Sequence, residues 1–566
     1  MVKQNFSGRF LVFLPIVLTF IIYFASTTSR AVTDYDEGFY AQAAQHMVES
    51  GNWVTPYANG VRFLEKPPLL YWVTAVSFKI FGINEFALRL PTAFAVIALV
   101  WIVVLIVRKL SDEKAALAAG LSTAFSIGTY IFTRETLHDI WLVLFIAVAM
   151  YAFLNWYLDP RHSLKPALVF YAAIAGAVLC KSIIGAVFPL GIVVVFFLLS
   201  KKWPKWRTLH VLPGFLLFSL LTVPWHLLAV IQNKGFLEYF FVGEQFMRFL
   251  GKHVTVGSVP LAVFWVLILV WFFPWTAFLP AAFARVRKNP DENQRILVKL
   301  ASAWAMVILG FFSVSARLEH YVFPAIPALS LFVGVALHKN EESKSVSWAF
   351  RGLAILGILL AIIGAVTGIW FATGGDFGSL STNPSDRAGS TDFTILANMP
   401  LEIMLELIHP AWITIASIAL GFGIAFRFEV HRRRVHALIC VAVVMAVIFG
   451  MTNWSLRICE DLISSKKFAL AIERGAHTGD RLLVVGDYES ADSLNFYQSL
   501  QVEVVDGVAP MFPGDPGVVL TKSEYLAVWR SPERVFVLAP VERIEEFAPK
   551  GAEVIRVLHR VLARNH

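Results

Sequence analysis

The sequence contains few charged residues for its length. Only 16% of its 566 residues are charged, whereas 57% are hydrophobic. The mean hydropathy is +0.66. A typical soluble domain has about 25% charged residues. A protein of this size cannot cover a soluble surface with so few charges, which excludes an ordinary soluble protein and indicates a membrane protein.

Cysteine and the common cofactor motifs are equally sparse. The three cysteines, Cys180, Cys440 and Cys459, form neither a disulfide framework nor a metal-ligand spacing. The sequence has no His-x-x-x-His pair, the C-terminal region has no glycine-rich phosphate loop, and the chain has no tandem repeat. No cofactor is therefore predicted. A divalent metal is not indicated by ligand spacing, so metal ligands cannot be assigned.

Long apolar runs are abundant. Runs such as "FLVFLPIVLTFIIYFAS" and "LPTAFAVIALVWIVVLIV" are long enough to cross a hydrocarbon core of about 30 Å at 1.5 Å per residue. They should be helices, because backbone polar groups cannot remain unpaired in lipid. About thirteen spans are predicted, near residues 9–26, 87–107, 114–132, 139–157, 166–180, 183–200, 209–230, 260–283, 296–315, 321–338, 348–372, 409–426 and 434–451.

The positive charges predict the orientation of these spans. Short loops rich in lysine and arginine, such as "KKWPKWR" and "RFEVHRRR", alternate with less basic ones. The basic loops and the N-terminus are predicted to be cytoplasmic by the positive-inside rule. The first loop (27–86) and residues 231–259, 373–408 and 452–566 are then predicted to lie outside. The net charge of +8 is explained in this way, and no nucleic-acid partner is predicted.

The C-terminal residues differ in character from the rest. "RLLVVGDYES", "VEVVDG", "VVLTKSEY" and "RVFVLAP" are short valine-rich runs bounded by glycine, aspartate or proline, a pattern typical of strands. Helix-like stretches such as 488–500 separate some of them. We therefore predict a transmembrane domain of residues 1–451 and a small soluble α/β domain of residues 452–566 outside the membrane.

Acids and cations from distant loops are predicted to share this outer face. Ionisable groups at a membrane rim are costly, up to about 2.5–3.5 kcal/mol each at a helix centre, and are functional candidates by default. Cations here also oppose the positive-inside bias, and an anionic ligand such as a lipid phosphate is the simplest reason for them. The candidates are Asp36, Glu37, Glu65, Lys66, Arg134, Asp139, Lys181, Glu244, Arg248 and Tyr321.

Structural roles are the alternatives for several of these residues. Asp34 and Asp36 precede a predicted helix, and Asp34-x-x-Glu37 has the spacing of a capping box. Asp139 also fits a helix N-cap. Glu65 and Lys66 fit an exposed ion pair worth less than about 1 kcal/mol.

Two prolines follow the Glu65–Lys66 pair. Pro67 and Pro68 restrict Lys66 to extended conformations and suit the first turn of a following helix. The sequence therefore predicts that the pair lies just above a helix N-terminus.

The ordered set of outer motifs resembles a known enzyme family. "DYDEGFYAQ", "FLEKPPLLYW", the Arg134…Asp139 segment, "CKSIIG", "EYFFVGEQFMRFLG" and "YVFPAIPALSLFVG" are similar to motifs of the aminoarabinose transferases. These integral-membrane glycosyltransferases are relatives of the protein O-mannosyltransferases. The resemblance covers essentially the whole chain and implies the C-type glycosyltransferase fold.

The resemblance implies a donor sugar on a polyprenyl phosphate, usually undecaprenyl phosphate, and a location in a bacterial inner membrane. It implies a lipid acceptor such as lipid A, and single displacement with inversion. By position, Asp36 matches the aspartate of the catalytic centre, with Glu37 beside it, and Asp139 matches the second acid. Among the substrate-binding residues implied, Lys66 and Arg248 match phosphate ligands; the others are Glu65, Arg134, Lys181, Glu244 and Tyr321.

Two positions depart from the family pattern. Gln245 follows Glu244 where relatives often have histidine, which removes one ligand of any metal site there. Glu319 stands where relatives commonly have proline, which leaves the acceptor open. A protein O-mannosyltransferase-like enzyme with a Ser or Thr acceptor, and a transporter of lipid-linked sugars, are therefore kept as alternatives. A transporter would place its ionisable residues near the midplane, whereas here they are predicted on one rim.

Overall fold

The computed structural model describes residues 2–28, 30–247, 259–287, 291–338, 343–373, 399–477, 479–509, 512–513, 515, 517–548 and 552–565. By contact density these residues divide into two compact units, one of residues 1–341 and 465–566 and the other of residues 342–464. The predicted division at residue 451 stays a prediction, and helix α17 (Arg434–Ile458) runs through that position. Arg248 and most of the predicted outer loop 373–408 lie outside the described residues.

Helices build most of the larger unit. They are α1 (Val2–Ala25), α2 (Glu37–Ser50), α3 (Leu69–Phe81), α4 (Glu85–Leu110), α5 (Glu113–Ala124), α6 (Ile127–Ile131), α7 (Asp139–Leu158), α8 (Leu164–Lys181), α9 (Ile184–Ser200), α10 (Val211–Gln232), α11 (Leu261–Trp271), α12 (Leu279–Val286), α13 (Glu292–Val314) and α14 (Ile326–Ala336). A π-helix, Glu238–Met247, follows α10, and the 3-10 helices Trp206–Leu209, Trp275–Phe278 and Glu319–Ala325 precede α10, α12 and α14.

The smaller unit consists of α15 (Lys344–Ala372), α16 (Leu401–Val430), α17 and the short α18 (Glu460–Ile463). Helix α16 packs against both α15 and α17. Apolar side chains of the smaller unit are exposed, such as Ile358 at 57% and Leu420 at 69%. Such exposure is typical of helices that face acyl chains.

The predicted spans coincide with helices, but their number remains a prediction. Among the described residues, nine helices are long and apolar enough to cross a membrane, and the pair 261–271 and 275–286, bent by 92°, makes a tenth. The apolar helices 10–25 and 184–200 are shorter. The predicted span 114–132 is divided into α5 and α6.

The first loop contains two helices of its own. Helix α3 begins at Leu69 with Pro68 as its N-cap residue, which confirms the helix predicted from the two prolines. Helix α2 begins at Glu37, and between the two helices lies a small hairpin of β1 (Tyr57–Ala58) and β2 (Val61–Arg62). The acidic motif around Asp36 thus lies at the start of α2, and the Glu65–Lys66 pair lies directly before α3.

The C-terminal region is an α/β layer with a six-stranded sheet of order β5-β4-β3-β6-β8-β7. Its strands are β3 (Arg481–Val485), β4 (Val502–Val505), β5 (Val519–Leu520), β6 (Val535–Pro540), β7 (Ala552–Val557) and β8 (Arg560–Arg564). Its helices are α19 (Lys466–Gly475), α20 (Leu494–Tyr497), α21 (Lys522–Trp529) and α22 (Ile544–Phe547), with 3-10 turns at Tyr488–Ala491 and Val541–Arg543.

The four strands predicted in this region are the parallel strands β3 to β6. The antiparallel hairpin β7–β8 is not among the predicted strands, because its charged residues interrupt the valine pattern. One face of the sheet shares an apolar core with α2 and α3, which includes Phe39, Leu482 and Phe536. The C-terminal region thus packs on the first loop.

Candidate functional site

A cavity of about 320 Å³ collects five of the predicted site residues. Its lining includes Lys66, Asp139, Lys181, Glu244 and Tyr321. They come from the segment before α3, the first residue of α7, the last residue of α8, the π-helix and the 3-10 helix before α14. The fold therefore brings together motifs that lie more than 250 residues apart in the sequence.

Each lysine in this cavity has acidic neighbours. Lys181 Nζ lies 2.5 Å from Asp139 Oδ1, and it lies 5.1 Å from the ring centre of Tyr321. Lys66 Nζ lies 3.7 Å from Glu65 Oε2 and 3.8 Å from Glu244 Oε2. Both Lys66 distances are those of ion pairs longer than a hydrogen bond.

Apart from Gln245 and Ser315, the rest of the cavity wall is apolar. A ligand that fills the cavity therefore meets two cations, each with an acidic neighbour, and a largely hydrocarbon surface. This combination suits an amphiphile with an anionic head and an apolar tail. The apolar lining residues are Leu142, Ile183, Ile184, Val187, Phe241, Phe246, Phe311, Phe312 and Pro324.

Asp36 is exposed and stands in a strained turn. Tyr35 and Asp36 have φ angles of 65° and 54°, in the left-handed region that few side chains other than glycine adopt. Asp36 occupies the N-cap position of α2, but its side chain makes no capping hydrogen bond. It accepts instead a hydrogen bond of 3.3 Å from the Tyr40 hydroxyl. Strain of this kind is concentrated at functional sites, and the capping alternative for Asp36 is wrong.

Asp36 does not line the cavity, but its charge acts on some of the same side chains as that of the cavity residue Asp139. Tyr40 and His320 each lie near enough to both Asp36 and Asp139 for their charges to interact. Burial, followed by the charge of Asp36, raises the pKa of Tyr40 well above its ordinary value. The Tyr40 hydroxyl group therefore keeps its proton at physiological pH and donates a hydrogen bond to Asp36.

Glu37 differs from Asp36 in its burial and in its hydrogen-bond partners. It is fully buried, and its carboxylate accepts hydrogen bonds of 2.9 and 2.7 Å from Nε and Nη2 of Arg89. Arg30 lies 3.6 Å away, and the Thr33 backbone donates at 3.0 Å. Burial opposes ionisation, but the two guanidinium groups outweigh it and lower the pKa of Glu37 to about 2. Glu37 therefore holds the turn that carries Asp36, and the catalytic role predicted for it stays a prediction.

Arg134 also serves the scaffold. It donates to the Ser26 hydroxyl, and its guanidinium carbon lies 4.3 Å from the ring centre of Tyr130 and 5.1 Å from that of Tyr23. Arg134 is not among the residues that line the cavity. The substrate contact predicted for Arg134 stays a prediction, and its observed contacts join residues at the ends of α1 and α6.

The sequence reasoning did not select the aromatic group formed by Tyr40, Tyr71 and His138. The His138 ring lies edge-on to Tyr40 and Tyr71, with centroids 4.7 and 5.3 Å apart. Neither His138 nitrogen has a hydrogen-bond partner among the described residues, although the side chain is buried. The signal was the four-residue spacing of Asp36 and Tyr40, which places both on one face of a helix.

Glu135 is a further acid that the sequence reasoning did not select. Burial raises the pKa of Glu135 to about 7, since Asp36 and Glu37 add negative charge and Arg30 only partly compensates. No pattern in the sequence distinguishes Glu135 from an ordinary loop acid, because its environment depends on the packing of α1, α2 and α7.

The C-terminal region fixes the first loop through buried polar contacts. Asp34 accepts hydrogen bonds from the Ser493 backbone (3.1 Å), the Ser493 hydroxyl (2.6 Å) and the Ser465 hydroxyl (2.8 Å). Asn59 exchanges two hydrogen bonds of 2.8 Å with the backbone of Val502. The capping role considered for Asp34 is therefore wrong, because its carboxylate joins the loop to the C-terminal region.

The described residues contain no group of three His, Cys, Asp or Glu side chains close enough to hold a metal ion. Gln245 lines the cavity next to Glu244, at the position where the sequence departs from the family pattern. The amide offers only its carbonyl oxygen as a ligand, and no three ligand side chains meet around it in the part of the chain that the structure describes.

Comparisons with known proteins agree with this architecture. The family model "Dolichyl-phosphate-mannose-protein mannosyltransferase" matches residues 9–240. An uncharacterised protein of Aquifex aeolicus (strain VF5) is 32% identical over 333 residues, which are 58% of this chain and 73% of that relative. The undecaprenyl phosphate-alpha-4-amino-4-deoxy-L-arabinose arabinosyl transferase 1 of Pseudomonas fluorescens (strain Pf0-1) is 25% identical, and the match spans 62% of this chain and 61% of that relative.

Solved structures confirm the predicted fold class. The crystal structure of ArnT from Cupriavidus metallidurans bound to undecaprenyl phosphate superposes with a TM-score of 0.82 at 23% identity, covering 98% of both chains. The oligosaccharyltransferase of Archaeoglobus fulgidus gives a TM-score of 0.50 at 12% identity, covering 95% of this chain and 70% of that chain.

These matches identify a multi-pass membrane protein with a C-type glycosyltransferase fold and a C-terminal α/β region. Three findings agree with one another: the match to the Aquifex aeolicus relative, which spans 73% of that relative's length at 32% identity, the match to the family model, and the fold. The chain belongs to the family of integral-membrane glycosyltransferases that includes the aminoarabinose transferases and is related to the protein mannosyltransferases.

Proposed function

We propose that this protein transfers a sugar from a polyprenyl phosphate donor to a lipid acceptor such as lipid A. The observation that carries the proposal is the cavity whose lining combines Lys66 and Lys181 with a largely apolar wall. A lipid-linked sugar phosphate has the same two parts. The relatives named for undecaprenyl phosphate-linked aminoarabinose support the donor class.

The location proposed is a bacterial inner membrane, with the N-terminus in the cytoplasm and the C-terminal region on the periplasmic side. The distribution of the basic loops supports this orientation. It places the cavity residues and Asp36 where a lipid-linked donor and a lipid acceptor both reach them from the membrane.

The lysines stabilise the leaving phosphate. Bond breaking between the anomeric carbon and the donor oxygen leaves the electron pair, and additional negative charge, on the polyprenyl phosphate. Lys66 approaches this phosphate by exchanging its long contacts with Glu65 and Glu244 for charge-assisted hydrogen bonds. Lys181, held by Asp139, contributes a second positive charge. Arg248 adds a third in our proposal, on the family resemblance alone.

Asp36 acts on the acceptor side. The acceptor oxygen attacks the anomeric carbon on the face opposite the departing phosphate, which inverts its configuration. If the acceptor is a hydroxyl group, its proton passes to the Asp36 carboxylate. If the acceptor is a phosphate of lipid A, the oxygen is already anionic, and Asp36 instead stabilises positive charge that develops on the sugar. Tyr40 orients Asp36 through its hydroxyl group.

The test follows labelled sugar. Wild type and Asp36→Asn are purified, and each is incubated with radiolabelled sugar on a short polyprenyl phosphate together with a membrane extract. We expect wild type to move label into a lipid fraction and the variant to be slower by about 10²–10⁴-fold, the usual contribution of a positioned acid or base. Glu49→Gln is the matched control, since Glu49 is an exposed acid at the other end of α2.

Two outcomes would contradict the proposal. If label moves to protein, the enzyme is of the mannosyltransferase type, an alternative that the match of residues 9–240 to the mannosyltransferase model favours. If wild type moves no label but carries the donor across liposome membranes, the chain transports lipid-linked sugars.

A further inference from the structure

A second charged cavity lies in the smaller unit, and none of its lining residues belongs to the candidate site described above. It has a volume of about 560 Å³ and is formed where α15 begins, α16 ends and α17 begins. Its charged lining consists of Lys344, Arg351, Arg432, Arg434 and Glu429. Four cations therefore surround a single carboxylate.

The carboxylate is already matched. Glu429 is buried, both of its oxygens lie 3.0–3.1 Å from Arg434 Nε, and the Ser347 hydroxyl donates to it at 2.8 Å. Among the described lining residues, Arg434 lies against Glu429, and Lys344, Arg351 and Arg432 are three further cations. All three side chains are exposed at its mouth.

An exposed apolar surface continues from this mouth along the helices. Trp348 is 61% exposed, and the guanidinium carbon of Arg351 lies 4.8 Å from its ring centre. Ile355 on α15 and Ile424 on α16 are also about half exposed, at 48% and 49%. Tryptophan and arginine at a helix end, followed by exposed aliphatic residues, are typical of the boundary between headgroups and acyl chains.

We propose that this cavity binds the headgroup of an anionic glycerophospholipid. The lipid phosphate lies among Lys344, Arg351 and Arg432, and the acyl chains lie along the exposed faces of α15 and α16. Basic pockets between membrane helices on the cytoplasmic side are suited to such headgroups, and the basic loops predict that side for this cavity. A free phosphate ion would use the cations but not the apolar surface.

The experiment measures retained lipid. Full-length protein in detergent is stripped of lipid, then titrated with phosphatidylglycerol or with phosphatidylcholine of the same acyl chains, and bound lipid is counted by native mass spectrometry. We expect phosphatidylglycerol to be preferred. The variant K344Q/R351Q/R432Q should lower its affinity by about tenfold or more, since each lost surface cation weakens attraction to anionic lipid.

A matched control removes equal charge elsewhere. K201Q/K202Q/K205Q changes three lysines in another basic loop, of which each is exposed, and should keep the wild-type affinity. If the triple variant of the cavity is unstable, R351Q alone tests the same contact and leaves the Glu429–Arg434 pair intact.

Equal retention of both lipids by wild type would overturn the proposal. So would an unchanged affinity for phosphatidylglycerol in the cavity variants, or an equal loss of that affinity in the loop control. Displacement of the lipid by glycerol 3-phosphate at equal concentration would also contradict it, because the site would then recognise the phosphate without the acyl chains.

Discussion

Two charged clusters that both include residues of the first loop differ in their burial and in their access to a cavity. The supporting cluster consists of Arg30, Glu37 and Arg89; the cavity cluster consists of Lys66, Asp139, Lys181 and Glu244. In the supporting cluster Glu37 is 0% exposed and receives two hydrogen bonds from Arg89. Nη1 and Nη2 of Arg89 also donate to the Arg30 and Ala31 carbonyl oxygens. In the cavity cluster Lys66 is 14% exposed and its ion pairs are 3.7 and 3.8 Å long.

The difference separates a structural cluster from a ligand-accessible one. A buried, fully hydrogen-bonded ion pair is costly to break and has no capacity for a ligand. Lys66 instead lines a cavity, where a bound phosphate can reach its ammonium group. Sequence position does not reveal this difference, because Asp36 and Glu37 are adjacent and chemically alike. The clusters should therefore respond to mutation in opposite ways.

The largest effect is expected in the supporting cluster. Arg89→Ala leaves the Glu37 charge buried without its bidentate partner, which should destabilise the fold by about 3–5 kcal/mol. The measurement is thermal unfolding in detergent. Arg108→Ala, an exposed arginine at the other end of α4, is the control and should stay within about 0.5 kcal/mol of wild type. Equal stability of the two variants would contradict the assignment of a structural role to Arg89.

The same cluster predicts sensitivity to acid. The pKa of Glu37 falls from 4.5 to about 2 on folding, so its contribution is complete above about pH 4.5 and is lost as the pH falls towards 2. That shift corresponds to about 3 kcal/mol. Unfolding followed from pH 6 to pH 3 should show the loss in wild type. Glu37→Gln should start less stable and lack this component of the pH dependence; an unchanged pH dependence in that variant would exclude Glu37 as its source.

A smaller effect is expected where the C-terminal region meets the first loop. Asn59→Ala removes both side-chain hydrogen bonds to the buried backbone of Val502, which should cost about 1–3 kcal/mol. The C-terminal region should also become more susceptible to limited proteolysis. Ser50→Ala, at the exposed end of α2, is the control. If proteolysis is unchanged in Asn59→Ala, this contact does not fasten the region.

Features that depend on local pattern were predictable from the sequence. The apolar runs gave the positions of helices, Pro67 and Pro68 marked the start of α3, and four valine-rich runs gave the parallel strands. The family resemblance supplied Lys66, Asp139, Lys181, Glu244 and Tyr321, which the fold collects around one cavity.

Features that depend on burial were not predictable. The buried position of Glu37 depends on Arg30 and Arg89, of which the second lies 52 residues away in the chain. The contact of Asp34 with Ser493 spans 459 residues, and local spacing instead favoured a helix cap. Glu135 acquires its raised pKa from packing alone. No local pattern encodes such long-range environments.

The most direct measurement is the affinity for a short-chain polyprenyl phosphate, determined by native mass spectrometry for wild type, Lys66→Gln and Lys79→Gln. Lys79 lies in the same loop, exposed near the end of α3, with its ammonium group 4.9 Å from the Trp53 ring centre. We predict a loss of about 10–100-fold for Lys66→Gln, since a hydrogen bond to a charged group contributes about 1.5–3 kcal/mol, and wild-type affinity for Lys79→Gln. Equal affinity in all three proteins would contradict the assignment of this cavity to the lipid-linked phosphate.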